Sequence, residues 1–211
     1  RQMCIRDSSI AVLTEGSIES ISFPKSEKFL VVDCTGVNKS EKLLEPYFER
    51  KASYVLISAP IESSNVQNIV YGINHQSIDT SAYKIFTAAS CTTNCLAPIV
   101  KVLEENIGIK HGSITTIHNI TNSQTIVDAP KNNLRRSRSG INSLIPTTTG
   151  SARAISLIYP ELKGRLNGHA VRVPLLNASL TDCVFEMKQN VEVDKINQLF
   201  NEASNTYLRD I

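Results

Sequence analysis

Three short apolar runs, Phe29 to Cys34, Tyr54 to Ser58 and Lys84 to Ala88, set the strongest limit on what this chain can fold into. Each is rich in Val, Ile, Leu or aromatic residues, as strands buried in a parallel sheet are. Between the first two lies Ser40 to Lys51, where Leu43, Leu44, Tyr47 and Phe48 fall on one helical face. Strand, helix and strand within about thirty residues form a βαβ unit, hence a parallel sheet and an α/β domain. Pro46 interrupts the helical pattern, so this helix is expected to be short or irregular.

From Ser90 the period changes. Leu96, Ile99, Val100, Leu103 and Ile107 form a stripe at i, i+3, i+4, i+7 and i+11, which predicts a long helix. Ser90 is a suitable N-cap and Gly108 a suitable stop, while Pro98 predicts a kink. Beyond it, Ser113 to His118, His169 to Leu175 and Leu180 to Met187 read as strands of period two. In the last, Leu180, Asp182, Val184 and Glu186 face one way and Thr181, Cys183, Phe185 and Met187 the other. One packed and one wetter face point to a second, α+β domain with a mostly antiparallel sheet. A helix is expected over Ser151 to Tyr159. Val193, Ile196, Leu199, Phe200, Ala203 and Tyr207 mark the face of another. The polar, basic stretch Asn119 to Asn142 is too long for an ordinary turn and is a candidate functional segment.

A formal charge of +2 is too small to make nucleic acid or an anionic membrane the main partner. Runs such as Phe29 to Val32 are far too short to span a bilayer. Five irregularly spaced cysteines match no zinc-ligand pattern, so no metal is expected. Free thiols fit a reducing compartment and predict a cytoplasmic protein. Arg1 to Ser8 shows no strand or helix period and is set aside as an expected artefact. The chain stops soon after its last helical face, and a fragment of a longer protein is expected.

Cys91 sits in the predicted first turn of the long helix, where unpaired N–H groups and the helix dipole stabilise a thiolate. The residue types alone favour a small packed thiol there. His118 ends a strand and could take a thiol proton, donate to an oxyanion, or simply serve as a structural hydrogen-bonding group. Thr147, Thr148, Thr149 and Gly150 precede a helix, which makes either an anion site or an ordinary cap. Arg135, Arg136 and Arg138 form a basic cluster or a solvated loop, with no interleaved aromatic residues for base stacking. Arg172, flanked by Val171 and Val173, needs an anionic partner, and a phosphate would serve.

Together these pieces resemble the glyceraldehyde-3-phosphate dehydrogenase family from about Phe29 onward. Ser90 to Cys95 (SCTTNC), continuing Leu96-Ala97-Pro98, looks like that family's nucleophile segment. Further matches follow in order: Cys34-Thr35-Gly36, Ser58-Ala59-Pro60, Thr116-Ile117-His118, Leu134-Arg135-Arg136, Pro146 to Gly150, and Arg172-Val173-Pro174. The resemblance implies that Cys91 is the nucleophile and His118 the base and oxyanion partner. Ser90, Thr149, Gly150 and Arg172 match the site of the attacking inorganic phosphate, with Thr92 beside them. Thr121, Ser123, Arg136 and Arg172 match the site of the substrate's own phosphate. Thr35, Gly36 and Ser58 match loops lining the NAD site. It also implies that residues 1–90 are the C-terminal part of a dinucleotide-binding domain of Rossmann type, and 91–211 the N-terminal part of a catalytic domain. The implied reaction is oxidative phosphorylation of an aldehyde through a Cys91 thioester, in a protein that is usually a homotetramer.

The family's glycine-rich phosphate loop, its ribose-binding acid and its C-terminal strands have no counterpart here, and no G-x-G-x-x-G occurs in the chain. Cys34 stands where many members carry serine, and Ser9 to Lys28 fits the family poorly. An inactive truncated chain and erythrose-4-phosphate dehydrogenase are therefore the alternatives. Glu45 to Arg50, Ala88-Ala89, His111 to His118 and Gly168 to Phe185 look closest to the branch associated with arsenate-resistance operons. That likeness implies arsenate as a second acyl acceptor beside phosphate.

Overall fold

The computed structural model describes residues 2–5, 8–14, 16–23 and 28–211. They fall into two compact units, Arg1–Asn68 with Asp79–Ala88, and Ile69–Ile78 with Ala89–Ile211.

In the first unit, β1 (Gln2–Ile5) and β2 (Ser8–Ala11) pair antiparallel, with Gln2 opposite Ala11 and Ile5 opposite Ser8. The expectation of no strand within Arg1 to Ser8 is corrected by this pairing, since four-residue strands are too short to display a period. Arg1, Arg6 and Asp7 of that octapeptide lie outside the described residues. The main sheet contains β3 (Leu30–Asp33), β4 (Tyr54–Ile57), β5 (Val66–Asn68) and β6 (Ile85–Thr87). Its order is β3-β4-β6-β5 and every pair is parallel. Strand β5 escapes sequence reading because Val-Gln-Asn carries no pattern.

Helix α1 (Glu41–Glu49) crosses over between β3 and β4. It buries Leu44 and Tyr47 against Val55, Ile57 and Ile85, while Leu43 faces solvent. Full burial of a side chain like Leu44 stabilises by about 2 kcal/mol. The helix is uninterrupted at Pro46 and only 9 residues long, the short form of the expected short or irregular helix. The proline forfeits a bond to the carbonyl of Lys42, an exposed residue where water can replace it. Strand β3 lies at the sheet edge, and only its Val31 and Asp33 side is packed; Leu30 and Val32 are exposed.

The second unit is built on α2 (Cys91–Asn106), β7 (Ile109–Asn119), β8 (Ile145–Thr148), α3 (Ser151–Ile158), β9 (Leu166–Val173), β10 (Ser179–Met187) and α4 (Val193–Asn205). The sheet order is β10-β7-β9-β8. The two outer pairs are antiparallel and the central β7–β9 pair is parallel, so the sheet is mostly antiparallel as expected. Pro146 is tolerated in β8 because that strand is an edge. Leu96, Val100 and Leu103 of α2, Ile109 and Ile114 of β7, Ile155 of α3, and Leu199 and Ala203 of α4 form the core. Cys183, Phe185 and Met187 of β10 pack against it, while Leu180 and Val184 face outward. The helix runs through Pro98 and ends at Gly108, whose positive φ of 83° lets its N–H reach the Leu103 carbonyl at 2.9 Å.

Candidate active site

The N-terminus of α2 carries the thiol. Ser90, in extended backbone, accepts a hydrogen bond from the Thr93 N–H at 3.1 Å, and its hydroxyl pairs with Thr93 Oγ1 at 2.7 Å. Cys91 is therefore the first helical residue. Its exposed Sγ lies 3.9 Å from Thr92 Oγ1. The helix N-terminus favours negative charge at that sulfur.

Strand β7 supplies the next group. Period-two alternation turns Ile114, Thr116 and His118 to the buried side. His118 Nε2 stands 3.7 Å from Cys91 Sγ. The parallel register sets Arg172 of β9 beside His118. Arg172 Nη1 is 2.7 Å from His118 Nδ1 and donates to the Asn119 carbonyl at 2.9 Å. His118 Nδ1 is itself 2.8 Å from that carbonyl. Arg172 Nε is buried with no hydrogen-bond partner among the described residues.

Arg136 comes from a 3-10 turn, Leu134–Ser137. Its Nε and Nη2 donate to Thr147 Oγ1 of β8 at 3.2 and 3.1 Å. Burial disfavours the charged form of Arg172, the positive charge of Arg136 disfavours it further, and a negative Cys91 opposes both. Two cations, an unused buried N–H and a thiol at a helix N-terminus make a site suited to an anion next to a nucleophile.

The family model described as "Glyceraldehyde 3-phosphate dehydrogenase, C-terminal domain" matches residues 90–211, beginning one residue before the thiol. The chain belongs to the glyceraldehyde-3-phosphate dehydrogenase family. It is 58% identical over 175 residues to "Glyceraldehyde-3-phosphate dehydrogenase 3" of Nostoc sp., covering 83% of this chain and 52% of the relative. It is 44% identical over 182 residues to "Glyceraldehyde-3-phosphate dehydrogenase 1" of Bacillus cereus, covering 86% and 54%. It is 40% identical over 209 residues to "Glyceraldehyde-3-phosphate dehydrogenase" of Geobacillus stearothermophilus, covering 99% and 62%. The chain thus spans between 52% and 62% of the length of these three relatives. The last alignment also extends over Ser9 to Lys28.

Of the expected site residues, Cys91, Thr92, His118 and Arg172 are brought together, with the charge of Arg136 acting on Arg172. The other expected residues sit in local turns. Thr149 Oγ1 is 3.0 Å from Ser151 Oγ, and Gly150 is the exposed residue before α3. Thr121 Oγ1 is 3.0 Å from Ser123 Oγ, and the Thr121 N–H donates to Gln124 Oε1 at 2.9 Å. The basic cluster divides: Arg138 pairs with Asp128 at 2.6 Å, while Arg135 is exposed.

In the first unit, Thr35 and Gly36 follow β3 and Ser58 follows β4, so all three lie at the carboxyl ends of parallel strands. Open α/β sheets bind nucleotides outside those ends. Gly36 has φ 68°, and nothing lies within 4 Å of where a Cβ would stand, which leaves room for close approach. The residues present fit one wall of a dinucleotide site. The turn is fixed by buried Asp33, whose Oδ1 accepts from Thr35 N–H at 2.8 Å and Thr35 Oγ1 at 2.7 Å. Its Oδ2 accepts from Asn38 Nδ2 at 2.8 Å and the Tyr47 hydroxyl at 3.2 Å.

Sequence reading missed Asp33, Asn38 and the Asn119 carbonyl, and it named Thr147 only as part of the Thr-Gly run before α3, not as the acceptor for Arg136. A carboxylate inside the apolar run Phe29 to Cys34 was a readable signal for the first. The carbonyl has no sequence signal at all. Among the described residues, no group of three potential metal ligands occurs, and no helix is long and apolar enough to cross a membrane.

Proposed function

We propose that the whole protein oxidises glyceraldehyde 3-phosphate with NAD and passes the acyl group to inorganic phosphate through a Cys91 thioester. The observation that carries this reading is the 3.7 Å approach of His118 Nε2 to the sulfur at a helix N-terminus, beside two arginines. The Cys91 thiolate attacks the aldehyde carbon and forms a thiohemiacetal. The oxyanion is held by the Cys91 N–H and by His118. The chemistry supplied by NAD when bound, between Thr35, Gly36 and Ser58 on one wall, is acceptance of hydride from that carbon. Inorganic phosphate, held by Ser90, Thr92, Thr149, Gly150 and Arg172, then attacks the thioester and releases an acyl phosphate. Thr121, Ser123, Arg136 and Arg172 hold the substrate's own phosphate.

The test is steady-state turnover of the whole protein with glyceraldehyde 3-phosphate, NAD and phosphate, compared with erythrose 4-phosphate. A higher kcat/KM for the four-carbon aldehyde would overturn the substrate assignment. The 211-residue chain alone is expected to bind NAD weakly and not to turn over, because it contains no glycine-rich phosphate turn. Micromolar NAD binding by calorimetry would contradict that. The same reading makes the protein a cytoplasmic homotetramer, as the free cysteines and the family resemblance imply, with light scattering as the check on its oligomeric state.

A more specific role, arsenate detoxification, is supported by the branch-like stretches and by the chemistry of the anion site. Arsenate shares the charge and tetrahedral shape of phosphate, so Arg172 and its neighbours accept either. The acyl arsenate produced hydrolyses readily. Deleting the gene should lower arsenate tolerance. Unchanged tolerance with lost growth on sugar would leave the glycolytic role instead.

A further inference from the structure

A glycine turn at the carboxyl end of a parallel strand cradles phosphate when its backbone N–H groups point outward at the anion. The turn after β3 is built the other way. The Thr35 N–H is spent on Asp33 Oδ1 at 2.8 Å, and the Val37 N–H on Thr35 Oγ1 at 3.3 Å. Both point into the turn. Behind them lies the buried Asp33 side chain. Burial alone would raise its pKa, but hydrogen bonds from Thr35, Asn38 and Tyr47 outweigh that and keep it a carboxylate. A phosphate brought to this turn meets a buried negative charge and two N–H groups already in use.

The same carboxylate sets the Thr35 hydroxyl. A carboxylate only accepts, so the hydroxyl hydrogen of Thr35 lies on Asp33 Oδ1, at 2.7 Å between the oxygens. What Thr35 Oγ1 can offer a ligand is therefore a lone pair and not a hydrogen. Thr35, Gly36 and Val37 are all exposed, and nothing stands within 4 Å of where a Cβ on Gly36 would be. A ligand seated here brings a hydrogen-bond donor to Thr35 and an apolar face to Val37. A nucleoside has both, in its sugar hydroxyls and its ring. The pyrophosphate of a dinucleotide has neither.

We propose that Asp33 is a positioning residue for the cofactor wall: by holding the Thr35 hydroxyl as an acceptor, it makes this turn a seat for a nucleoside of the dinucleotide and not for its phosphates. This rests on the NAD reading above and deepens it. Being buried, Asp33 acts through Thr35 rather than on the cofactor itself. Asn38 and Tyr47 hold its other oxygen at 2.8 and 3.2 Å, which stops the carboxylate from turning away from Thr35. The Asp33 carbonyl also receives the Ser58 N–H at 2.9 Å, so the same residue anchors the second loop of the wall.

The experiment uses the whole protein. Calorimetry reads the binding of adenosine, nicotinamide riboside and inorganic pyrophosphate, and steady-state turnover reads kcat and KM for NAD. Thr35→Val keeps the shape and removes the acceptor. It should weaken one of the two nucleosides about fivefold, as loss of one neutral hydrogen bond does, and KM rather than kcat should carry the same factor. The nucleoside that responds identifies which half of the dinucleotide sits on β3. Thr35→Ser should bind it within about twofold of the unaltered protein, and pyrophosphate binding should not change in either variant. Asp33→Ala frees the hydroxyl to rotate and should weaken the same nucleoside. The double variant Asp33→Ala/Thr35→Val should lose no more than Thr35→Val alone, because both changes remove one contact. Additive losses would make Asp33 merely structural and overturn the proposal. So would weaker pyrophosphate binding in Thr35→Val, or no response of either nucleoside. Should Asp33→Ala fail to fold, a crystal structure of the NAD complex decides: a phosphate oxygen on Thr35 Oγ1, or a Thr35 hydroxyl turned off Asp33, overturns the assignment. Absence of NAD turnover in the unaltered protein would instead refute the dehydrogenase reading, while nucleoside binding still reports on the turn.

Discussion

At the end of β3, Asp33 is buried with both carboxylate oxygens fully engaged, by Thr35 on one side and by Asn38 and Tyr47 on the other. At the end of β9, Arg172 is half-buried with its Nη1 on His118 and Asn119 and its Nε without a partner among the described residues. Both charges sit where parallel strands end, one in each unit. The carboxylate meets its donors within its own loop and helix, so it holds a turn in shape. The guanidinium faces a second cation and a thiol, so its demand for an anion is met only by something that binds. A buried charge that is satisfied internally belongs to the scaffold, and one that is not marks a site.

Substitutions can break or sharpen this contrast. The largest effect is expected for Cys91→Ser in the whole protein, which should abolish dehydrogenase turnover because an alcohol is a far poorer nucleophile at neutral pH. Retained turnover would place the chemistry elsewhere.

Asp33→Ala should lower unfolding free energy by about 3 kcal/mol, read from urea denaturation, because several buried donors lose their acceptor. Burial alone would raise the Asp33 pKa, but hydrogen bonds from Thr35, Asn38 and Tyr47 outweigh it and hold the carboxyl below its ordinary range. Its stabilisation is therefore complete above the unfolded value of about 3.9 and is lost as pH falls through the lower folded value. The variant's acid unfolding should lack that component.

Arg172→Ala should leave the fold largely intact and weaken both phosphates, at a cost of about 1.5–3 kcal/mol for each charge-assisted contact. Unchanged Michaelis constants for both ligands would remove the site half of the contrast.

Tyr47→Phe deletes one of the donors to Asp33 and should cost about 1 kcal/mol. Burial and then the Asp33 charge push the Tyr47 phenol up to about 12. The stabilisation linked to that proton is present below the unfolded value of about 10 and is lost as pH rises through the folded value. Loss of this alkaline component in the variant is the check. Asp128→Ala, at an exposed pair with Arg138, should leave the unfolding midpoint unchanged.

Much of this is legible in the sequence. The stripe Leu96 to Ile107, the Ser90 cap, the Gly108 stop and the alternation of β10 are local patterns, set by helical and strand periods that each residue carries with it. The family-like segment Ser90 to Cys95 was readable for the same reason, being six consecutive residues. Strand β5 and the hairpin β1–β2 were not, because three or four residues with little pattern become strands only when a partner supplies the hydrogen bonds. Pro46 and Pro98 each cost one helical bond, and the packed faces around Leu44 and Leu96 outweigh that loss, so both helices run through them.

Sequence alone thus determined the helices and the longer strands, that Cys91 heads a helix, and that Arg172 lies in an apolar strand needing an anionic partner. Tertiary structure decided which groups meet. His118 and Arg172 are 54 residues apart, and only the parallel register of β7 and β9 sets Nη1 against Nδ1. Arg136 reaches Thr147 only because β8 pairs at the sheet edge beside β9. Distances between side chains come from strand register and packing, which no local period encodes, whereas helix and strand periods come from backbone geometry that every short segment shares.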